Sequence, residues 1–233
     1  MYKSKEERKL NDKNYTTDTE KDIKKSRRPI QRIGIMGGTF NPIHFGHLVT
    51  AQEALGQFNL DKVIFIPTGD PPHKVGKDIA SSEDRYLMTV IATAPDKNFL
   101  VSRIETDRKG KSYTIDTVRE LRKIYGTDAT LYFITGADAI LEILAWKNTE
   151  EIVSLCKFIA ATRPGYNLSR MKDLEKKLFN SKNNKGEKIF VMEVPALAIS
   201  STDIRNRVKN NRPISYLLPG GVRSYILKHG LYG

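Results

Sequence analysis

The sequence predicts a single-domain α/β fold, an open parallel sheet with helices on both faces. Three observations carry that expectation. From residue 30 onward, short apolar runs alternate with amphipathic segments; the runs lack the two-residue alternation of half-exposed strands; and each run is followed by a loop rich in glycine, hydroxyls or cations. Strands that are apolar throughout are buried on both faces, which is the habit of parallel sheets joined by crossover helices.

The elements follow in order. R-I-G-I-M-G reads as the first strand, and the segment after it places Leu48, Ala51, Leu55 and Phe58 at helical spacing. K-V-I-F-I-P is the second strand, followed by a helix from about Glu83 with Tyr86, Leu87, Val90 and Ile91 on one face. N-F-L-V-S is the third, and its helix, Thr114 to Tyr125, lines up Ile115, Val118, Leu121 and Tyr125. A-T-L-Y-F-I-T, K-F-I-A-A-T and K-I-F-V-M-E-V complete six strands, and G-G-V-R-S-Y-I-L-K-H-G-L-Y closes the chain as a helical segment. In such sheets ligands bind beyond the carboxyl ends of the strands, near the point where strand order reverses. The loops there are G-G-T-F-N-P-I-H, P-T-G-D-P-P-H-K, T-D-R-K-G-K-S-Y-T, T-G-A-D, T-R-P-G and V-P-A-L-A-I-S-S-T-D-I-R, and together they predict one ligand cleft.

Composition narrows the class. The 233 residues are 39% hydrophobic and 28% charged, enough for one sizeable core. The single cysteine, Cys156, has no partner for an internal disulfide, and its setting in S-L-C-K-F-I-A-A predicts a buried thiol in a reducing compartment. No apolar run approaches the roughly 20 residues of a membrane span, and the first residues lack the apolar core of a secretory signal. A cytoplasmic protein with no membrane partner is expected. The net charge is +12, of which residues 3–28, with ten Lys/Arg and six Asp/Glu, contribute +4. Residues 1–29 are therefore read as a basic, disordered extension preceding a domain over 30–233. The remaining excess is spread along the chain, which reads first as a solvated basic surface and next as a basic face receiving small anions, both ahead of a nucleic-acid partner. Self-association into a homo-oligomer is left open.

The chemistry centres on G-G-T-F-N-P-I-H-F-G-H. Gly37 and Gly38 allow close backbone approach and unusual torsions. Pro42 bends the chain into a helix whose first amides are free to meet an anion. His44 and His47, three apart, share one face there and can donate hydrogen bonds and take up charge near pH 7. Helix capping or packing would explain two isolated histidines. Zinc would need a third ligand such as His73 or Asp138, and no metal-binding residues are assigned. Neither G-x-x-x-x-G-K-[ST] nor G-x-G-x-x-G occurs. In I-S-S-T-D-I-R, Ser200 and Asp203 have capping-box spacing, and Arg205 lies one turn into the helix.

These two stretches resemble the paired signatures, H-x-G-H and I-S-S-T-x-I-R, of the nucleotidyltransferase superfamily. With S-Y-T, G-A-D, A-W, R-P-G and G-L-Y in order from about Ile33 to Gly233, the chain resembles the bacterial nicotinate-nucleotide adenylyltransferases. Asn41 departs from the pattern, where the family more often has Asp. The resemblance implies a Rossmann-like sheet and transfer of AMP from ATP to nicotinate mononucleotide, with Mg²⁺ accompanying ATP. It implies that His44 and His47 are the catalytic pair, with His47 the transition-state donor. Gly37, Gly38, Thr39, Phe40, Lys74, Gly136, Asp138, Arg163, Ile199, Ser200, Ser201, Thr202 and Arg205 would bind ATP and its phosphates. Ser112, Tyr113 and Thr114 would receive the nicotinate carboxylate and Trp146 would stack on the pyridine ring. Nicotinamide-mononucleotide and phosphopantetheine adenylyltransferases, and a non-catalytic nucleotide- or RNA-binding module, are the alternatives; amide donors around Tyr113 favour the acid acceptor.

Overall fold

Among the described residues six parallel strands form one sheet in the order β3-β2-β1-β4-β5-β6, so the chain reverses its direction of travel between β1 and β4. The strands are β1 (Arg32–Gly38), β2 (Lys62–Pro67), β3 (Phe99–Val101), β4 (Thr130–Gly136), β5 (Lys157–Thr162) and β6 (Ile189–Glu193). The helices described along their whole length are α1 (Phe45–Gln57), α2 (Ser82–Thr93), α3 (Thr114–Tyr125), α4 (Ala137–Ile140), α5 (Thr149–Leu155), α6 (Ser201–Lys209) and α7 (Gly220–Lys228), with a 3-10 turn at Ile143–Ala145. The structure, a computed structural model, describes residues 32–69, 79–163, 165–167, 169, 171, 173–174, 189–195 and 197–233. The extension over 1–29, Lys74 and His73 lie outside the described residues.

Alternate residues of each strand point to opposite faces. One face sends Met36, Val63, Phe65, Tyr132, Ile134, Ile159 and Met192 into a cluster with Ala51 and Ala54 of α1, Met88 and Ala92 of α2, Ile204 of α6, and Val222 and Ile226 of α7. The intervening residues Ile33, Ile35, Leu131, Phe133 and Phe158 are buried as well. On their side α3 buries Ile115, Val118 and Leu121, and α5 buries Ile152 and Val153. The all-apolar strands and the helices on both faces thus have one cause, and the sheet is Rossmann-like.

Local signals set the ends. The helix expected over Thr114–Tyr125 has those bounds and stops at Gly126, which takes φ 76. The second helix begins at Ser82 because the Ser81 hydroxyl accepts from the Asp84 amide at 3.0 Å. The first ends one residue short of expectation: Phe58 becomes its cap, and Asn59, with φ 46, turns the chain away. Cys156 is buried at 5% exposure, its thiol donating to the Ile152 carbonyl. No helix among the described residues is long and apolar enough to cross a membrane.

Candidate active site at the carboxyl edge of the sheet

The double glycine belongs to the end of β1, where Gly37 and Gly38 pair with Ile66 and Pro67 of β2. Neither adopts a left-handed φ; that torsion falls to Phe40, at φ 47. The glycines therefore supply space rather than unusual torsions. The Phe40 ring is 2% exposed, tilted against Phe65 at 5.9 Å and edge-on to His47 at 5.1 Å. Phe40 thus packs the turn from beneath, and only its backbone is left for a ligand.

His44 caps α1 in extended conformation, and its ring stacks on that of His47 with centroids 3.8 Å apart. The His44 backbone amide donates to His47 Nδ1 at 3.2 Å. That bond assigns the His47 proton to Nε2, which becomes a donor. His44 Nδ1 is buried with no hydrogen-bond partner among the described residues. A Cβ at Gly46 would come within 3.0 Å of the His44 ring, so the glycine between the histidines is what allows them to stack.

Burial pushes His44 down to about 4, and burial together with the His44 charge pushes His47 down to about 3. The expectation that the pair takes up charge near pH 7 is corrected: burial keeps both rings neutral there. The helix start is also less open than expected, because the Phe45 amide donates to the Leu217 carbonyl at 3.2 Å.

The second signature folds onto the first. The Ser200 hydroxyl accepts from the Asp203 amide at 3.1 Å, which starts α6 as its spacing predicts. Ser201 Oγ donates to the Pro42 carbonyl at 2.8 Å, and Arg205 Nη1 to the Asn41 carbonyl at 2.8 Å. Arg205 Nη2 reaches Thr202 Oγ1 at 3.3 Å. Asn41 Oδ1 accepts from the Ala80 amide at 3.0 Å and from the Tyr232 hydroxyl at 2.8 Å. The carboxamide oxygen supplies the acceptor that the more usual Asp would, so the departure at position 41 leaves this joint intact. Ile199 reaches the same place, its carbonyl 3.8 Å from where a Gly46 Cβ would stand.

Two buried ionisable residues, Glu105 in the cleft wall and Arg85 behind it, are absent from the residues singled out in the sequence. Arg85, 1% exposed, donates from Nε to the Ala80 carbonyl at 3.1 Å, from Nη1 to that of Thr39 at 2.8 Å and from Nη2 to that of Gly69 at 2.9 Å. Its burial lowers its pKa, opposed by the nearby Tyr232 and Glu105 charges. Glu105 accepts from Thr117 Oγ1 at 2.7 Å, and burial raises its pKa against the Thr117 bond and the Arg108 charge. A signal for Arg85 existed: it precedes Met88, Thr89 and Ala92 on the buried stripe of α2, where a charge is costly without partners. For Glu105, embedded in R-I-E-T-D-R, periodicity offers no signal.

Beside the turn lies a cavity of about 690 Å³ lined by Gly37, Gly38, Thr39, Thr68, Glu105, Ser112, Tyr113, Thr114, Thr117, Phe133, Trp146 and Lys147, among others. The sequence-predicted Ser112, Tyr113, Thr114 and Trp146 are all in its wall. Trp146 is propped edge-on by Phe133 at 5.6 Å, and the Lys147 ammonium sits 4.3 Å from the Tyr113 ring centroid. Because α3 begins at Thr114, its first amides precede the helical ladder and face outward at this wall. Ser112 Oγ is buried without a hydrogen-bond partner among the described residues. Gly136, the last residue of β4, and Asp138 and Arg163, just past β4 and β5, stand exposed outside the cavity lining, with Asp138 Oδ1 accepting from the Tyr166 hydroxyl at 2.9 Å. Among the described residues no three His, Cys, Asp or Glu side chains gather as a metal site.

Residues 35–207 match the family model described as cytidylyltransferase-like. A protein of Thermoanaerobacter sp. (strain X514) is 55% identical over 201 residues, 86% of this chain and 94% of its own length. One of Moorella thermoacetica (strain ATCC 39073 / JCM 9320) is 57% identical over 201 residues, 86% of this chain and 91% of its own. Both carry the description "Probable nicotinate-nucleotide adenylyltransferase". Among solved structures, Plasmodium falciparum nicotinic acid mononucleotide adenylyltransferase complexed with NaAD matches with a TM-score of 0.68 at 21% identity, over 87% of this chain and 97% of that one. At that identity the likeness speaks for the fold.

Proposed function

The chain belongs to the nicotinate-nucleotide adenylyltransferases within the cytidylyltransferase-like family, and from that premise we propose how its cleft divides the work. The protein transfers AMP from ATP to nicotinate mononucleotide, forming deamido-NAD and pyrophosphate, a step of NAD biosynthesis. The 5′-phosphate oxygen of the mononucleotide attacks the α-phosphorus of ATP, a new P–O bond forms, and the α–β bridging bond breaks as pyrophosphate leaves. No protein nucleophile is needed, so the cleft acts by alignment and charge stabilisation.

The phosphate turn Gly37–Gly38–Thr39 lies between the two substrates. The His47 Nε2–H donates to the phosphoryl oxygens, where negative charge builds, and is the transition-state donor; His44 shares the same anion through its unpartnered ring nitrogen. Ser200, Ser201, Thr202 and Arg205 frame the triphosphate. Ile199 offers backbone groups to adenine, and Gly136, Asp138, Arg163 and Lys74 bind the rest of ATP. Magnesium arrives with ATP as substrate, held by phosphate oxygens and water. Family membership supports the use of a divalent ion with ATP.

The mononucleotide fills the cavity, with its pyridine ring on Trp146 and its carboxylate at Ser112 and the first amides of α3. Amide and hydroxyl donors suit a carboxylate, whereas a carboxamide would set its own N–H groups against them. The protein works in the cytoplasm without a nucleic-acid partner. The observation that carries this division is the contact of the two signatures, Ser201 on Pro42 and Arg205 on Asn41, beside a preformed cavity that holds the acceptor residues.

The test offers ATP and magnesium with nicotinate mononucleotide, nicotinamide mononucleotide or phosphopantetheine and follows pyrophosphate. Release is expected with the first and, more weakly, with the second. Equal kcat/KM for acid and amide would overturn the assignment of the carboxylate to the α3 amides.

A further inference from the structure

Arg85 places a guanidinium where the neighbouring buried residues of α2 are uncharged. It lies on the buried stripe of α2 and is 1% exposed. No carboxylate among the described residues forms an ion pair with it. Its donors instead meet three carbonyls from three separate stretches: Thr39 after β1, Gly69 after β2, and Ala80 ahead of α2. A planar guanidinium fixes the relative positions of groups bonded along its edges in a way that one ammonium cannot.

The three acceptors tie the two halves of the cleft together. Thr39 belongs to the phosphate turn, and Ala80, by donating to Asn41 Oδ1, holds that turn from its other end. Gly69 belongs to the acceptor side: a Cβ there would stand 2.1 Å from the Glu105 carbonyl and 3.4 Å from Ser112 Oγ. Gly69 is therefore pressed directly against the cavity wall. Through Thr39 and Gly69, Arg85 sets the spacing between the turn that grips ATP and the wall that receives the mononucleotide.

We propose that Arg85 is a positioning residue for AMP transfer, holding the attacking phosphate in line with the α-phosphorus by fixing the phosphate turn against the acceptor wall. This rests on the cleft assignment above. In-line displacement is sensitive to that spacing, since an error of an ångström far from the reacting atoms can cost about 10²-fold. Each substrate's own contacts lie on other side chains, so a loosened spacing lowers kcat while leaving binding of each substrate largely intact.

The experiment compares Arg85→Lys and Arg85→Met with wild type for kcat, both KM values and thermal midpoint. Lysine keeps the charge and much of the volume, so it is the variant that decides if the methionine protein does not fold. For folded Arg85→Lys, kcat is expected to fall about tenfold or more with each KM within about threefold of wild type. A Lys variant whose kcat stays within about threefold, or whose loss lies wholly in one KM, overturns the proposal. The wild-type rate with nicotinate mononucleotide, measured first, judges the reading of function. The variant-to-wild-type ratio, taken with whichever acceptor turns over, judges Arg85.

Discussion

The two halves of the cleft are built on opposite plans. On the proposed acceptor side a cavity of about 690 Å³ already exists, and in its wall Ser112 Oγ has no hydrogen-bond partner among the described residues. On the proposed phosphate side His44 Nδ1 is likewise without a partner among the described residues, but the donors around it bond to the protein itself: Ser201 to Pro42, Arg205 to Asn41, the Phe45 amide to Leu217. A pocket that recognises one pyridinium ring and a carboxylate can afford open groups. A site that must hold a highly charged chain in line for attack needs a stiff frame, because its effect on rate depends on geometry already set before the ligand arrives. Changes in the frame should therefore appear in kcat, and changes in the pocket in the acceptor KM.

His47→Ala should break the frame's chemistry most, lowering kcat by about 10²-fold while the protein stays folded, the usual cost of losing one transition-state donor. Steady-state pyrophosphate release with matched circular dichroism checks it; turnover within a few-fold of wild type would remove His47 from the mechanism. Trp146→Ala is the complementary probe of the pocket. It should raise the KM for nicotinate mononucleotide about tenfold, from lost stacking and area, and leave the KM for ATP unchanged. If both KM values rise together, the division between halves is wrong. Ser201→Ala removes one bond between the signatures and should lower kcat about fivefold, the scale of one net hydrogen bond.

The sequence made the sheet legible because strands buried on both faces leave an unbroken apolar signature, and helices such as α3 carry their apolar stripe in plain view. Of the six loops read as one cleft, those after β1 and β3 share the cavity wall and the one after β6 bonds to the turn after β1, an arrangement legible because each follows a strand and all strands are parallel. The contacts between them were harder. Arg205 could be read as a charge near an anion, but its bond to Asn41 lies 164 residues away in the chain and has no local trace. Arg85 lies in an S-E-D-R helix start, and its bonds to three carbonyls from separate stretches have no trace in that local pattern. The histidine charge was misjudged for a related reason: residue type sets the reference pKa near 6.5, whereas burial, which the sequence does not print, sets the shift.

That shift supplies the smallest effect and the sharpest check on the frame. In the folded protein His44 and His47 are lowered to about 4 and about 3, while in the unfolded chain each titrates near 6.5. Between those values the unfolded state binds more protons than the folded one, so stability rises with pH across the window and is fully present above it. The thermal midpoint should be flat above about pH 7 and fall as pH drops from about 6.5 toward 4, with His47→Ala showing a shallower fall over the same range. Activity should behave differently. Because kcat/KM reports the free enzyme, its profile between pH 6 and 8 should show no inflection from this pair, which is already neutral throughout. An inflection near 6.5 that disappears in His47→Ala would mean that the imidazoles are open to water before ATP binds. The phosphate half would then be as unfinished as the acceptor half, and the contrast between them would fail.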